Sequence, residues 1–394
     1  MPRWCVNGAG VGEHVWKWGD EDLPNVDQYT YLGVDFSSNC SWDLHIGRLI
    51  EKGRGQVGRL HAVLASEKVD VRIKAMIIRS VILPPLEYAS EFWEGNKKQI
   101  RDLERVQLRA AKYAVRCSKR ARSVAVRAEL GLYPLKATRD VRKLKWQHKI
   151  ENMMECRLPR IAYEATWRGA RRGRQPIQWT NVVKQIWDKL DNVDQEELLK
   201  EGSTSTFKSV IKDAVEKNES KESVKVVNQE DELQVYELLG EGIGMKNYLH
   251  GPMSEGKKIK LKLRIGDAGL HHRRRRGRQV GSDDEVKCDC GSEVEDSVHV
   301  VGECEMYRAE REKLVEEMSR IEGYDESAFI AMDSKAKTVE LLGDRQLPEH
   351  TRRAVDTVDR KFLIRLWRSR SERLAIGSRT GGENSVPSRI TNNN

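Results

Sequence analysis

The sequence predicts a mainly α-helical protein, and three observations carry that reading. Apolar residues recur at helical spacing through most of the segment from Ser41 to Met154. Strict apolar alternation, the mark of strands, is concentrated near the N-terminus, in residues 15–36. Charged residues make up 33% of the 394 against 38% hydrophobic, a balance that suits helices with one buried stripe and a long solvated face. At this length the chain accommodates two or three domains.

From the N-terminus, Val15, Trp16, Lys17 and Trp18 alternate, and GDEDLPN supplies turn residues. Tyr29 to Phe36 alternates again with Leu32, Val34 and Phe36 on one face, so the two segments are predicted to form one hairpin. A two-stranded unit needs a sheet or a helix beneath it, and no further strands follow, so the chain is expected to start mid-domain. Ser41 is placed to cap a first helix with Leu44, Leu49, Val57, Leu60 and Leu64 on one stripe. Gly53, Gly55 and Gly58 work against it by about 1 kcal/mol each. Asp70 opens a second, more uniformly apolar helix closed by Pro84 and Pro85.

A third helix, from about Asn96 to Cys117, turns Ile100, Leu103, Val106, Ala110 and Ala114 inward and leaves Lys97, Lys98, Arg101, Arg105, Arg109 and Lys112 elsewhere. Thr138 is placed to cap a fourth, which carries Val141, Leu144, Lys145 and Ile150 with Arg139, Arg142, Lys143 and Lys149 around it. Short connections between these helices imply a bundle.

Beyond Arg157, WRGARRGRQPIQW is too rich in Arg and Gly to pack and reads as a basic linker or clamp, with Arg171, Arg172 and Arg174 between Trp167 and Trp179. Helical patterns resume around Val182 to Leu199 and Phe207 to Val215. The stretch KNESKESVKVVNQED has little to bury and is expected to be a loop. Two more helices are predicted near Tyr307 to Ile321 and Ala354 to Ala375, before a polar tail, 377–394, expected to be disordered.

The chemistry concentrates between Cys288 and Cys304, in CDCGSEVEDSVHVVGEC. Three of the seven Cys and one His fall there as a CxC, an eight-residue gap, His, a four-residue gap and Cys. Zinc takes thiolate and imidazole in a closed tetrahedron, and Cys288, Cys290, His299 and Cys304 supply four ligands with no position left for water. That pattern points to a structural zinc. The CxC gap is tighter than usual. His299 and Cys304 are about 500° apart on an ideal helix, so a bend near Gly302 is needed to aim both inward.

A cationic run precedes this motif. In KKIKLKLRIGDAGLHHRRRRGR, Lys257, Lys258, Lys260, Lys262 and Arg264 interleave with Ile and Leu, which reads as an extended segment with cations on one face. Arg273, Arg274, Arg275, Arg276 and Arg278 follow. Together with a net charge of +9, the clustering suits a polyanion such as RNA or DNA, bound through phosphates and weakened by salt. The Arg run also fits a nuclear-import signal.

Several function classes are disfavoured. The cysteine pattern is poor ground for a disulfide framework and fits a reducing compartment. No secretory signal follows Met1, and the apolar run Val69 to Leu86 is broken by Asp70, Arg72, Lys74 and Arg79, so a soluble, intracellular protein without a membrane partner is expected. No Gly-rich phosphate loop and no HExxH occur. Ser282, Asp283 and Asp284 form an acidic pair without a strand context, and His45, His61 and His148 read as polar or packing residues.

The order of features resembles the C-terminal part of the reverse transcriptase of non-LTR (LINE-type) retrotransposons. Tyr29, Thr30, Tyr31, Leu32, Gly33 and Val34, then Trp42, His45 and Ile46, resemble the YLG element and the start of that family's thumb. The pattern continues through Pro85, Leu86, Glu87 and Tyr88, then Glu91, Phe92 and Trp93, then Val106 and Gln107. It resumes with Leu261, Leu263, Arg264 and Gly266, the four zinc-ligand residues, Tyr307 and Arg311. Coverage is about residues 15–165 and 258–325.

The resemblance implies that Tyr31, Leu32 and Gly33 belong to a primer-grip hairpin, that the following helices form a thumb holding template–primer, and that the zinc unit and Arg arm bind element RNA or target DNA. The family's palm carries an aromatic-xDD motif for two magnesium ions, and no such motif occurs here, so the isolated chain is expected not to polymerise. Taken with the reading of the residues, the expected layout is a palm-edge hairpin in 1–40, a thumb-like bundle in 41–165 and a basic linker with helical spacer in 166–256. The basic arm and CCHC zinc unit follow in 257–325, then C-terminal helices in 326–376. A truncated, nuclear, nucleic-acid-binding element product is the first reading. A domesticated zinc-containing RNA- or DNA-binding protein, and a zinc-dependent protein-interaction module with an import signal, stay open beside it.

Overall fold

The computed structural model describes residues 16–165, 178–200, 203–270, 287–344 and 347–380, and over these the chain is mainly α-helical. The strands form two hairpins instead of one: Trp16–Trp18 pairs antiparallel with Glu21–Leu23, and Gln28–Tyr31 with Val34–Ser37. The single long pairing gives way to two local ones because both connections have tight-turn backbones. Gly19 lies at φ 61°, and Leu32 and Gly33 lie at 47° and 76°, the doubly positive pattern of a turn whose twist matches its strands. Leu32 is therefore an exposed turn residue, and of Leu32, Val34 and Phe36 only Val34 is buried.

The first helix, Asp43–Arg59, buries His45, Ile46, Leu49, Ile50, Gly53 and Val57, while Leu44 faces outward. Gly53 is set by packing: a Cβ there would lie 2.4 Å from Leu86 Cδ2. Asp70 does cap, its carboxylate accepting from Arg72 N at 2.7 Å. The prolines lie in the last turn of the second helix, as expected, but that helix is not α throughout. Val71–Ile77 runs into a π-helical segment, Ile78–Ile82, and a last turn, Leu83–Leu86, that contains both prolines. Pro84 and Pro85 have no N–H to continue the ladder, and the looser π turn keeps Ile78, Ile82 and Leu86 buried despite that.

Lys97–Val115 follows the predicted stripe, opened by a capping box of Asn96 and Gln99 and closed by Arg116 in the left-handed region. Leu135–Glu151 starts ahead of Thr138. Arg139 and Lys143, expected on its solvated rim, are buried. Both lie over the Trp93 ring, at 5.6 and 5.9 Å from its centroid, and Lys143 Nζ donates to the Ser90 carbonyl at 2.9 Å.

The expected loop at 217–231 is mostly the second half of a long helix, Thr204–Asn228. Several of its charged side chains are exposed and pair along or beside the helix, Lys212 with Glu216, Lys225 with Glu222 and Lys221 with Asp191, so little burial is required. The pattern near Val182 to Leu199 breaks into Trp179–Trp187 and Gln195–Lys200. The C-terminal helix, Glu349–Thr380, runs past residue 376, where a disordered tail was expected, and 381–394 lie outside the described residues. Nor do all cysteines stay thiols: Cys40 is disulfide-bonded, whereas Cys117, Cys156, Cys288, Cys290 and Cys304 are free.

Three apolar cores organise these elements. The first joins Val34, Ile46, Ile78, Val106 and Leu130 to Leu233, Leu249, Leu261 and Ile265 from far along the chain. The second gathers Leu144, Val183, Trp187, Phe207 and Ile211. The third contains Ile259, Leu263, Cys288, Val301, Cys304, Leu314, Leu341, Phe362 and Leu366.

The seam between the first and third cores overturns one expectation outright. The KKIKLKLR run, read as extended, is an α-helix, Glu255–Arg264. In a helix, residues two apart point about 200° from each other. Leu261 therefore enters the first core while Ile259 and Leu263 enter the third. Alternation that looks like a strand is here a helix buried on both sides.

Candidate metal centre

The Cys/His motif is built from two local devices. Around Cys288 the chain turns tightly: Gly291 N donates to the Cys288 carbonyl and Cys288 N to the Ser292 carbonyl, both at 2.9 Å. Gly291 takes φ 94°, a conformation that favours glycine. Asp296 then caps a short helix, Ser297–Gly302, its Oδ1 accepting from His299 N at 2.8 Å. The helix stops at Gly302, and Cys304 N turns back to the His299 carbonyl at 2.8 Å. This is the bend that the five-residue spacing demanded. A Cβ on Gly302 would lie 2.5 Å from the Ser334 carbonyl oxygen, so glycine also permits the close contact with the helix Ser334–Leu342.

These devices converge four donors. The ligand atoms of Cys288, Cys290, His299 and Cys304 all lie within 4.8 Å of one another. Cys288 Sγ is 3.7 Å from Cys304 Sγ, and Cys290 Sγ is 3.2 Å from His299 Nε2. Zinc–sulfur bonds of about 2.3 Å would give a tetrahedral edge of about 3.8 Å, which the sulfur pair nearly matches. His299 turns Nε2 to the sulfurs and Nδ1 to Glu303 Oε1 at 3.2 Å. A carboxylate accepting the Nδ1 proton leaves the Nε2 lone pair aimed at the centre.

Burial and local hydrogen bonds set the electrostatics of the cluster. Burial pushes the Cys304 thiol up to about 12 and raises that of Cys288. Cys290 is held below its ordinary value against burial, by the Ser292 backbone and its Cys288 neighbour. Glu303 is lowered by its hydrogen bonds to Ser334 and His299. The donor set can hold one metal ion.

A surrounding shell fixes the cluster. Glu295 receives both Nε and Nη2 of Arg370 at 2.8 Å, a buried bidentate pair that ties the motif to Glu349–Thr380. Arg373 from the same helix lies 4.2 Å from the Tyr307 ring centroid, and Arg311 donates to the Cys304 carbonyl at 2.5 Å. From the seam helix, the Leu263 carbonyl accepts from Ser297 Oγ at 3.4 Å. Sequence reasoning missed Glu295, Glu303 and Arg370. Glu303 alone carried a local signal, as the carboxylate four residues after a ligand His.

The predicted nucleic-acid contacts divide. Lys257, Lys260 and Arg264, expected on a cationic face, are buried. Lys257 Nζ donates to the carbonyls of His250 and Pro252, and Lys260 Nζ lies 5.3 Å from the Tyr248 ring centroid. Arg264 reaches Glu129 Oε1 and Glu241 Oε2, each at 2.7 Å, donates to the Leu342 carbonyl, and lies over the Tyr236 and Tyr248 rings. Burial between two cores leaves these three no route to an external phosphate. Lys258 pairs with Glu67 at 2.5 Å, and Lys262 is half-buried.

Arg171, Arg172, Arg174, Arg273, Arg274, Arg275, Arg276 and Arg278 lie outside the described residues, as do Ser282, Asp283 and Asp284. Tyr31, Leu32 and Gly33 sit at an exposed turn, where the Leu32 carbonyl accepts from Tyr88 Oη at 2.7 Å. Among the described residues, no helix is long and apolar enough to cross a membrane.

No protein-family model matches the chain, and no curated protein matches it.

Proposed function

We propose that Cys288, Cys290, His299 and Cys304 hold one structural zinc ion, and that the chain binds RNA or DNA through a cationic surface organised by that centre. One observation carries the proposal. Leu270 and Cys288, which flank the segment bearing Arg273 to Arg276 and Arg278, are 2% and 7% exposed and belong to the same core as the ligands. The residues on either side of an arginine-rich stretch therefore belong to the core that contains the candidate ligands. Guanidinium groups then meet phosphates with charge and a matching donor fork.

Within this reading the zinc supplies fold energy alone, because four protein ligands leave it no open position. The proposed kinship with the C-terminal part of non-LTR reverse transcriptases names the same partner class, and a nuclear workplace follows from the same arginines. Cys290→Ser is expected to release the zinc and remove hydrogen-exchange protection around residues 288–307. Metal analysis of the purified variant beside the parent tests this, and unchanged metal content counts against the assignment. Replacing Arg273 to Arg276 with Ala is expected to weaken polynucleotide binding without changing sequence preference.

A further inference from the structure

Away from the metal centre, the helices Leu135–Glu151 and Thr204–Asn228 leave between them a groove of about 400 Å³. Arg142 and Lys145 line one wall, and Lys208 and Lys212 the other. The members of each pair are three or four residues apart, so each pair shares one face of its helix. Ala137, Val141 and Val215 contribute apolar lining, and Tyr133 adds a half-buried ring.

The charges are unbalanced. Of the four lining cations two have carboxylate partners, Lys212 with Glu216 at 3.7 Å and Arg142 with two glutamates beyond the lining. Arg142 reaches Glu87 at 3.6 Å and Glu91 at 4.0 Å, while Lys145 and Lys208 make no ion pair among the described residues. Burial, then the neighbouring charges of Lys208 and Arg142, holds Lys145 below the ordinary lysine range. Gathering like charges around a half-enclosed groove costs free energy unless an anion joins them.

We infer that this groove is a second binding site, taking a segment of single-stranded nucleic acid with its phosphates on Lys145, Lys208 and Lys212 and a base against Tyr133 and the apolar lining. Cationic walls beside an aromatic ring are what single strands require, because their base faces are free to stack. A groove this size fits a nucleotide-sized body. A duplex keeps its base faces covered and could offer only phosphates. The inference rests on the proposed nucleic-acid function and gives it a contact surface separate from the arginine run.

Lysine acylation footprinting on the full chain tests it, with a short single-stranded RNA, the matching duplex, AMP and polyglutamate as probes. The single strand is expected to protect Lys145 and Lys208 more strongly than the duplex does. Lys145→Gln with Lys208→Gln is expected to weaken single-strand affinity about tenfold at low salt, with zinc content and thermal unfolding unchanged. Lys208→Gln alone, at an exposed position, gives the same direction with no demand on the fold. Single-strand binding that leaves both lysines fully reactive overturns the groove while the general function stands. Absence of any polynucleotide binding overturns both. Protection by AMP but not by the strand, or equal protection by polyglutamate, overturns the assigned ligand class.

Discussion

The two lysine- and arginine-rich regions described here have opposite fates. Along Glu255–Arg264, Lys257, Lys260 and Arg264 are buried between cores and satisfied by carbonyls, rings and carboxylates. Across the 135–151 and 204–228 helices, Lys145 and Lys208 line an open groove without an ion-pair partner among the described residues. Cation density along the chain does not separate these cases. Partners do: Arg264 meets Glu129 and Glu241, both from other elements. The same residue types thus serve as internal struts in one place and as unbalanced surface charge in another.

The difference can be broken most severely at Arg264. Arg264→Met is expected to cost about 3–5 kcal/mol, because Glu129 is left buried without its cation, read as a lower midpoint in urea unfolding. If the loss is below about 1 kcal/mol, the pair is not the strut described. Next comes the contact that seats the metal motif. Gly302→Ala forces a methyl toward the Ser334 carbonyl and is expected to cost about 1–3 kcal/mol, with faster hydrogen exchange in both Ser297–Gly302 and Ser334–Leu342. Unaltered exchange there would show that the helices are free to separate.

Acid sharpens the comparison further. Against burial, Arg264 and Lys246 hold the Glu241 carboxyl down at about 2. A depressed carboxyl contributes stability that is fully present above its unfolded value and is lost as pH falls through the folded one. Stability should therefore drop between about pH 5 and pH 2. Glu241→Gln is expected to flatten that part of the pH profile, and an identical slope in the variant contradicts the pairing. The smallest effect belongs to the groove: Lys208→Gln is expected to shift stability by less than about 0.5 kcal/mol, since no internal partner loses a contact. A larger loss would make Lys208 structural.

What was legible in the sequence follows the same division between local and distant causes. Lys97–Val115 was readable because its stripe faces one core and its cap lies within four residues. The convergence of the four candidate donors and the bend at Gly302 were readable because ligand spacing is local chemistry. Glu255–Arg264 misled because two cores flank it, turning a helix into apparent alternation. Arg139 and Lys143 misled because Trp93, which receives both, lies in another segment. The hairpins were misjoined because turn backbone at Leu32–Gly33, not residue pattern, decides which strands meet. Glu295 and Arg370 are 75 positions apart, and nothing local announces such a pair.

The most direct test of the central claim, that one zinc ion organises a polynucleotide-binding surface, is the affinity of the full chain for a short single-stranded RNA across a salt series, with and without prior zinc removal by a chelator. The metal-loaded chain should carry one zinc and show log affinity falling linearly with log salt, and zinc removal should weaken binding and flatten that slope. Identical affinity and slope in the two preparations would contradict it.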